Sequence, residues 1–244
     1  MYTIENRVRY SEVDSGKQLT LPSLLDYLQD CCTFQSEDLG VGIDFLNQSH
    51  CAWILSSWQI KISRYPTLGE QIKVNTWPYD FKGFYGHRNF TMENSKGEQL
   101  VRANSIWVFM DMERMRPVRI PETLQDTYKN EIANPLPGEW SARRIVIPED
   151  GEKQTPVQVA RFFIDTNHHM NNSKYVLAAE EYLPEHFPVG ELRVEYKKAA
   201  VLGDLLYPAV IADESQVMVN LTDESGKTYA AVHFMREESN IGKE

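Results

Sequence analysis

Two stretches of this chain repeat one pattern, and that repetition limits the fold more than any other feature. Trp58–Glu70 and Leu192–Asp204 each alternate apolar and polar residues, carry basic positions, and close on Leu-Gly-acid, at Leu68-Gly69-Glu70 and Leu202-Gly203-Asp204. Alternation of this kind reads as a strand with two unlike faces. Upstream of the first copy, Leu24, Leu25, Leu28 and Cys31 recur at helical spacing, with Pro22 suited to an opening turn and Gly40 to an exit. Upstream of the second, Tyr175, Val176, Ala179 and Tyr182 do the same. Downstream, Asn94-Ser95-Lys96-Gly97 and Asp223-Glu224-Ser225-Gly226 read as hairpin connections. Each half is therefore strand, helix, then several antiparallel strands.

That order predicts an α+β chain in which a long apolar helix packs on a curved antiparallel sheet, twice over: a tandem, or double, hotdog. The expected boundaries are an N-terminal repeat at 1–130, a linker at 131–155 and a C-terminal repeat at 156–244. The linker is punctuated by Asn134-Pro135-Leu136-Pro137-Gly138 and Pro148-Glu149-Asp150-Gly151. A duplicated unit supplies the packing that a single hotdog takes from a second copy, so a monomer suffices and a homodimer stays open.

The chain has 244 residues, 42% hydrophobic and 25% charged, and no run approaches the ~20 apolar residues of a membrane span. Its start carries neither a basic segment nor an apolar signal core, so the expected location is cytoplasmic. Cys31, Cys32 and Cys51 suit reduced thiols better than a disulfide framework. A net charge of −10 argues against nucleic acid and anionic membranes as partners. Local cations exist at Arg114, Arg116 and Arg119, at Arg143 and Arg144, and at Lys197 and Lys198. They read as a solvated face unless the partner is acidic.

The chemistry concentrates in Asp165-Thr166-Asn167-His168-His169-Met170-Asn171-Asn172, between the apolar run Val157–Ile164, read as a buried extended segment, and the second helix. If the backbone stays extended, Asp165, Asn167 and His169 share one face and Thr166, His168 and Met170 the other. Asn171 or Asn172 suits an N-cap, and the free amides at that helix start suit a developing negative charge. Capping and turn formation alone are the plainer reading of the same residues. Zinc fits poorly, since adjacent His168 and His169 point apart and no Cys lies nearby. Neither metal nor organic cofactor is expected.

Asp165 through Tyr175 resembles the active-site motif of the acyl-acyl carrier protein thioesterases, D-x-N-x-H-x-N-N-x-K-Y, and matches it at every fixed position. The resemblance spans most of the chain. It implies a double hotdog with the catalytic motif in the second repeat and much of the acyl pocket in the first. Ser11-Glu12-Val13-Asp14-Ser15-Gly16-Lys17-Gln18 stands at the corresponding place of the first repeat without Asn or His, so one active site is expected. The implied reaction is hydrolysis of a fatty acyl chain from the phosphopantetheine thiol of acyl carrier protein, releasing free fatty acid. His169 would activate water, Asn167 orient the water or the carbonyl, and Asp165 fix that geometry or itself serve as base. A backbone amide near the start of the 172–182 helix would stabilise the oxyanion.

Plant members of the family carry an acid and a Cys after the Tyr and two basic residues of the second-repeat strand. Here Ala199 and Ala200 stand there, so a Cys nucleophile is unavailable at that position. Glu195 is the nearest carboxylate, and the alternation of Leu192, Val194 and Tyr196 turns it to solvent. Substrate contacts are assigned to Asn171, Asn172, Trp53 and Trp58. Leu55, Ile60 and Phe45 are further pocket candidates, with Trp77, Phe84 or Tyr85 as bulky stops, although ordinary core packing accounts for all of these. Arg143, Arg144, Lys197 and Lys198 are assigned to docking of the acidic carrier protein. Alternatives are an acyl-CoA thioesterase, a hotdog hydratase or dehydratase, and a non-catalytic acyl- or carrier-protein-binding double hotdog.

Overall fold

The computed structural model describes residues 1–148 and 150–237. The chain forms two compact units: Met1–Ser57 with Ser63–Ser141, and Trp58–Ile62 with Ala142 onward. Residues 238–244 of the expected C-terminal repeat, and Glu149 of the expected linker, lie outside the described residues.

The first unit begins with β1 (Tyr2–Arg7), a 3-10 turn at Tyr10–Glu12, α1 (Leu21–Asp38) and α2 (Ile43–Gln48). There follow β2 (Cys51–Ile62), whose Trp58–Ile62 part belongs to the second unit, β3 (Gln71–Lys82), β4 (Tyr85–Asn94), β5 (Gln99–Asp111), a short β6 (Arg116–Pro117) and α3 (Glu122–Thr127). The strands lie in the order β1-β3-β4-β5-β2. Thr20 caps α1 by accepting from the Ser23 amide, Pro22 occupies the first turn, and Gly40 leaves the helix at φ 72°. Leu21, Leu24, Leu25, Leu28, Cys31 and Gln35 form its buried stripe. Across the sheet Thr76 pairs with Phe90 and Phe90 with Ala103, and Val74 pairs with Met92 and Met92 with Val101. These rows share the face that meets α1, because Gln35 of the helix and Thr76 both bond Arg88 there.

The second unit runs through β7 (Glu152–Lys153), β8 (Val157–Gln158), a 3-10 turn at Arg161–Phe163 and α4 (Asn172–Glu180). It continues through β9 (Val189–Tyr196), β10 (Leu205–Ala212), β11 (Gln216–Thr222) and β12 (Thr228–Arg236). The order β9-β12-β11-β10, completed by β7 and β8 against β10, repeats β2-β5-β4-β3-β1. The expected double hotdog is therefore present, and the repeat extends to individual hydrogen bonds. Gly69 (φ 80°) donates to Val8 O at 2.9 Å, and Gly203 (φ 90°) to Val159 O at 3.0 Å. Thr67 N donates to the Glu70 carboxylate and Val201 N to that of Asp204, both at 2.9 Å. In the hairpins, Asn94 Oδ1 accepts from the amides of Lys96 and Glu98, as Asp223 Oδ1 does from those of Ser225 and Lys227. Leu-Gly-acid recurs because the turn needs left-handed backbone at its Gly and a carboxylate to hold it.

Two readings change. The run Val157–Ile164 is not a continuous buried strand: it is extended only at Val157–Gln158, then turns, leaving Phe162 78% exposed. Glu195 does not face solvent; it is 7% exposed. The alternation of β9 is as expected, with Leu192 and Val194 buried on one face, but the other face is covered by Ala142–Ile145. Arg193 Nη2 donates to Ala142 O at 2.6 Å, and Glu195 Oε2 accepts from Ile145 N at 3.0 Å. Residues 133–140 are likewise laid on the first unit's sheet, on the face away from α1. Trp77 Nε1 donates to Asn134 O (2.9 Å), Leu136 N to Asn89 Oδ1 (2.8 Å), and Arg102 to Pro137 O. Periodicity within a strand carries no signal for a connector covering its polar face.

Glu195→Ala removes the acceptor for Ile145 N. It is expected to speed tryptic cleavage at Arg143 and Arg144 in the native protein, measured by limited proteolysis; an unchanged rate means the carboxylate does not hold this segment. At the end of α4, burial pushes the Glu180 carboxyl up to about 8. A carboxyl whose folded pKa exceeds its unfolded one binds its proton in the native state while the unfolded chain has lost it. Stability contributed by the proton is thus full below the unfolded pKa and falls as pH rises towards 8. Glu180→Gln, which copies Gln29 at the matching place in α1, is expected to flatten that decline in a series of melting temperatures against pH.

Candidate active site

The segment joining the 3-10 turn to α4 is not extended. Asp165 N donates to His169 O at 2.8 Å and His168 N to Asp165 O at 3.1 Å, which closes a tight turn with His168 at φ 60°. Inside it, Asp165 Oδ1 accepts from the amides of Asn167 (2.8 Å) and His169 (3.4 Å). The strict two-residue alternation assumed for this stretch therefore fails. Asp165, Asn167 and His169 are still gathered, but by the carboxylate gripping the other two through their backbones. Asn167 and His168 are exposed, and His169 is half-buried.

The loop is anchored on every side. Asn171 N donates to Phe163 O (2.8 Å) and Met170 N to Ala200 O (2.8 Å). Asn171, rather than Asn172, is the N-cap of α4, its Oδ1 accepting from Ser173 N at 2.9 Å and Ser173 Oγ at 3.0 Å. Tyr196 OH donates to Asn172 O at 2.9 Å, and Tyr175 OH accepts from Ala200 N at 2.8 Å. Burial pushes the Tyr175 phenol up to about 12, keeping it neutral for that bond. The amides of Met170, Asn171, Ser173 and Lys174 all have acceptors within the chain. Tyr175 and Tyr196 were read only as helix and strand packing; the fixed Tyr of the motif was the signal for the first.

The first unit builds the same loop without an Asn or His in it. Asp14 N donates to Gln18 O (2.9 Å), Lys17 N to Asp14 O (3.0 Å), and Gln18 N to Asp14 Oδ1 (2.9 Å), with Lys17 at φ 63°. Leu19 N donates to Pro66 O and Thr20 N to Glu12 O, as Met170 N does to Ala200 O and Asn171 N to Phe163 O. Position by position, Asp14 matches Asp165, Gly16 matches Asn167, Lys17 matches His168 and Gln18 matches His169.

The remaining candidates fall in several places. Ala200 is fully buried and Ala199 exposed, so neither offers a nucleophile or acid. Trp53 is half-buried and stacks on Phe109 (centroids 4.9 Å) and near Phe81 (6.3 Å), while Phe45 is 41% exposed. Leu55, Trp58, Ile60 and Trp77 are buried, and Phe84 and Tyr85 stack on each other at 4.4 Å. Among the cations, Arg143 and Arg144 are exposed and Lys197 lies 3.5 Å from Glu195. Lys198 is tied to Asp223 at 2.8 Å and lies over the Tyr229 ring. Among the described residues there is no cluster of three His, Cys, Asp or Glu able to hold a metal, and no helix long and apolar enough to cross a membrane.

Comparison with known proteins agrees with this geometry. The acyl-ACP thioesterase N-terminal domain model matches residues 1–128, and the acyl-ACP thioesterase C-terminal domain model matches 148–237. The chain belongs to the acyl-ACP thioesterase family. It is 24% identical to a chloroplastic acyl-[acyl-carrier-protein] hydrolase of Cuphea viscosissima, over 86% of this chain and 54% of that protein. It is 23% identical to the chloroplastic oleoyl-acyl carrier protein thioesterase 2 of Arabidopsis thaliana, over 91% of this chain and 66% of that one. The chain thus spans between half and two thirds of the length of these plant relatives. In structure it is similar to an acyl-ACP thioesterase from Bacteroides thetaiotaomicron, with a TM-score of 0.87, 22% identity, and coverage of 96% of this chain and 97% of the other.

The two matched loops separate folding from chemistry. Asp14→Ala and Asp165→Ala are each expected to lower stability by about 1 kcal/mol, the scale of a lost capping oxygen. Of the two, only Asp165→Ala is expected to abolish turnover under the function proposed below. Urea unfolding beside turnover measures both; equal activity loss in the two variants would show that the first loop also does chemistry.

Proposed function

We propose that this protein hydrolyses fatty acyl-acyl carrier protein thioesters, releasing free fatty acid and ending chain elongation. One observation carries the reading. The chain builds the same carboxylate-closed loop twice, yet only one copy carries an imidazole, at His169 with Asn167 two residues before it, where the other has Gln18 and Gly16. In this reading the repeat at 156–244 supplies the catalytic motif, the repeat at 1–130 the acyl pocket, and 131–155 the linker.

The imidazole of His169 takes a proton from water as the water oxygen attacks the thioester carbonyl. The Asn167 carboxamide donates to the carbonyl oxygen as it becomes an oxyanion. Collapse of the tetrahedral intermediate breaks the carbon–sulfur bond, and the departing thiolate takes the proton back from the imidazolium. Asp165 positions the other two: its Oδ1 is committed to their backbone amides, which supports an organising role over that of base. A buried alanine at position 200 supports direct attack by water, since no side chain there can form an acyl intermediate.

Trp53 and Trp58 are assigned to the acyl chain, and Asn171 and Asn172 to the thioester end of the substrate. Acidic acyl carrier protein would meet Arg143 and Arg144, exposed on the segment over β9, and Lys197 and Lys198 at the end of that strand. The unpaired thiols Cys31, Cys32 and Cys51 suit a reducing, cytoplasmic setting.

The test compares wild type with His169→Ala on acyl carrier protein and coenzyme A thioesters, with free fatty acid as the readout. Wild type is expected to favour the carrier-protein ester, and the variant to lose at least about 100-fold in kcat while staying folded. Near-native turnover in the variant removes His169 from the mechanism. Preference for the coenzyme A ester changes the substrate class.

A further inference from the structure

The two Leu-Gly-acid turns are held by different side chains, and the difference separates the unit with the imidazole from the unit without one. In the first unit Arg64 grips both oxygens of Glu70: Nη2 donates to Oε1 at 2.6 Å and Nη1 to Oε2 at 3.0 Å. Lys198 stands where Arg64 does, and Tyr229 where Leu100 does. Arg64 N donates to Leu100 O (3.4 Å), and Lys198 N to Tyr229 O (3.2 Å). Lys198 turns instead to Asp223, at 2.8 Å, with its ammonium 4.5 Å from the centre of the Tyr229 ring. The Asp204 carboxylate is taken by the phenol. Tyr229 OH donates to Oδ2 at 3.0 Å, the oxygen that also accepts from Val201 N at 2.9 Å.

This carboxylate lies two bonds from the catalytic loop. Asp204 N donates to Val201 O (3.1 Å), closing the turn, and the carbonyl of the preceding residue, Ala200, accepts from Met170 N (2.8 Å). Met170 follows His169 directly. The backbone of the turn also holds the chain that leads into the loop, since Val159 N donates to Asp204 O (2.8 Å) and Gly203 N to Val159 O (3.0 Å). A phenol donating to a carboxylate makes a charge-assisted bond, stronger than one between neutral groups. Tyr229 is 3% exposed on β12, whereas the Arg64 side chain is 38% exposed. A buried side chain with two torsions, packed in a sheet, holds a turn in one place more closely than a long surface cation does.

We propose that Tyr229 is a positioning residue of the active site, fixing through Asp204 the turn from which Met170, and with it His169, is hung. The inference rests on the thioesterase reading above. The phenol takes no part in proton transfer. It sets where the imidazole stands, so its loss falls on kcat rather than on KM.

Tyr229→Phe removes the donor and keeps the ring. Its kcat on the carrier-protein ester is expected to fall about tenfold at unchanged KM, less than the ~100-fold that a 1 Å misplacement costs. Amide hydrogen exchange at Met170 is expected to quicken in this variant, while exchange at Leu19, its match in the first unit, holds. Arg64→Met loosens the first unit's turn and is the control: it is expected to lower the melting temperature and leave kcat unchanged. An unchanged kcat in folded Tyr229→Phe, a change confined to KM, or an equal fall in Arg64→Met overturns the proposal and leaves the thioesterase reading standing. Should Tyr229→Phe not fold, Asp204→Asn gives the phenol a neutral acceptor and is expected to show the same loss in kcat; an unchanged kcat there overturns the proposal. Wild type that hydrolyses no carrier-protein ester overturns both the inference and the reading beneath it.

Discussion

A carboxylate that folds back onto amides ahead of it, followed by a residue held in the left-handed region, fixes how each hotdog passes from its first strand into its helix. Asp14 and Asp165 do this in the two units, with Lys17 at φ 63° and His168 at φ 60° as the left-handed residues. A non-glycine residue there costs about 1 kcal/mol or more, and the closed hydrogen-bond set offsets it. Each loop is also fastened to the Leu-Gly-acid turn of its own unit, through Leu19 N to Pro66 O and Met170 N to Ala200 O. The helix start, the loop and that turn therefore form one hydrogen-bonded assembly, and the catalytic candidates ride on it.

Duplication explains why so little of the site had to be new. Gly16 and Gln18 in one loop and Asn167 and His169 in the other occupy equivalent places on the same backbone. The backbone bonds that close the turn do not involve the side chains at those two positions, so an amide and an imidazole can be installed without redesigning the loop. The anchoring layer differs too: Tyr175 and Tyr196 hold the second copy from helix and strand. The roles proposed for His169 and Asn167 need fixed separation more than they need burial. Rigidity from the backbone supplies it.

Much of this was legible because the duplicated turns carry residues with a single conformational use. Gly69, Gly203, Gly97 and Gly226 all take positive φ, and Glu70, Asp204, Asn94 and Asp223 accept the amides those turns leave open. The site was legible as a cluster but not as a geometry, since nothing in the letters of Asn167-His168-His169 says which residue adopts positive φ. Glu195 was misread for a related reason: its strand alternates as a two-faced strand should, but the polar face is covered by a segment some fifty residues away in the chain. An arginine in an alternating strand such as β4 ordinarily faces water. Only the packing of Gln35 and Tyr128 against Arg88 shows that this one does not.

Ala200 shows what the fold requires at the place where plant members of the family carry a cysteine. Its amide donates to Tyr175 OH and its carbonyl accepts from Met170 N, so the backbone of this residue ties helix α4 to the catalytic loop. That structural task uses no side-chain atom, and Pro66 performs the carbonyl half of it in the first unit. The side chain at 200 is therefore free to vary without loosening the loop, within the small buried space it occupies. With a methyl at 200, the proposed mechanism asks water to be the nucleophile, and of the two imidazoles in the turn it uses His169.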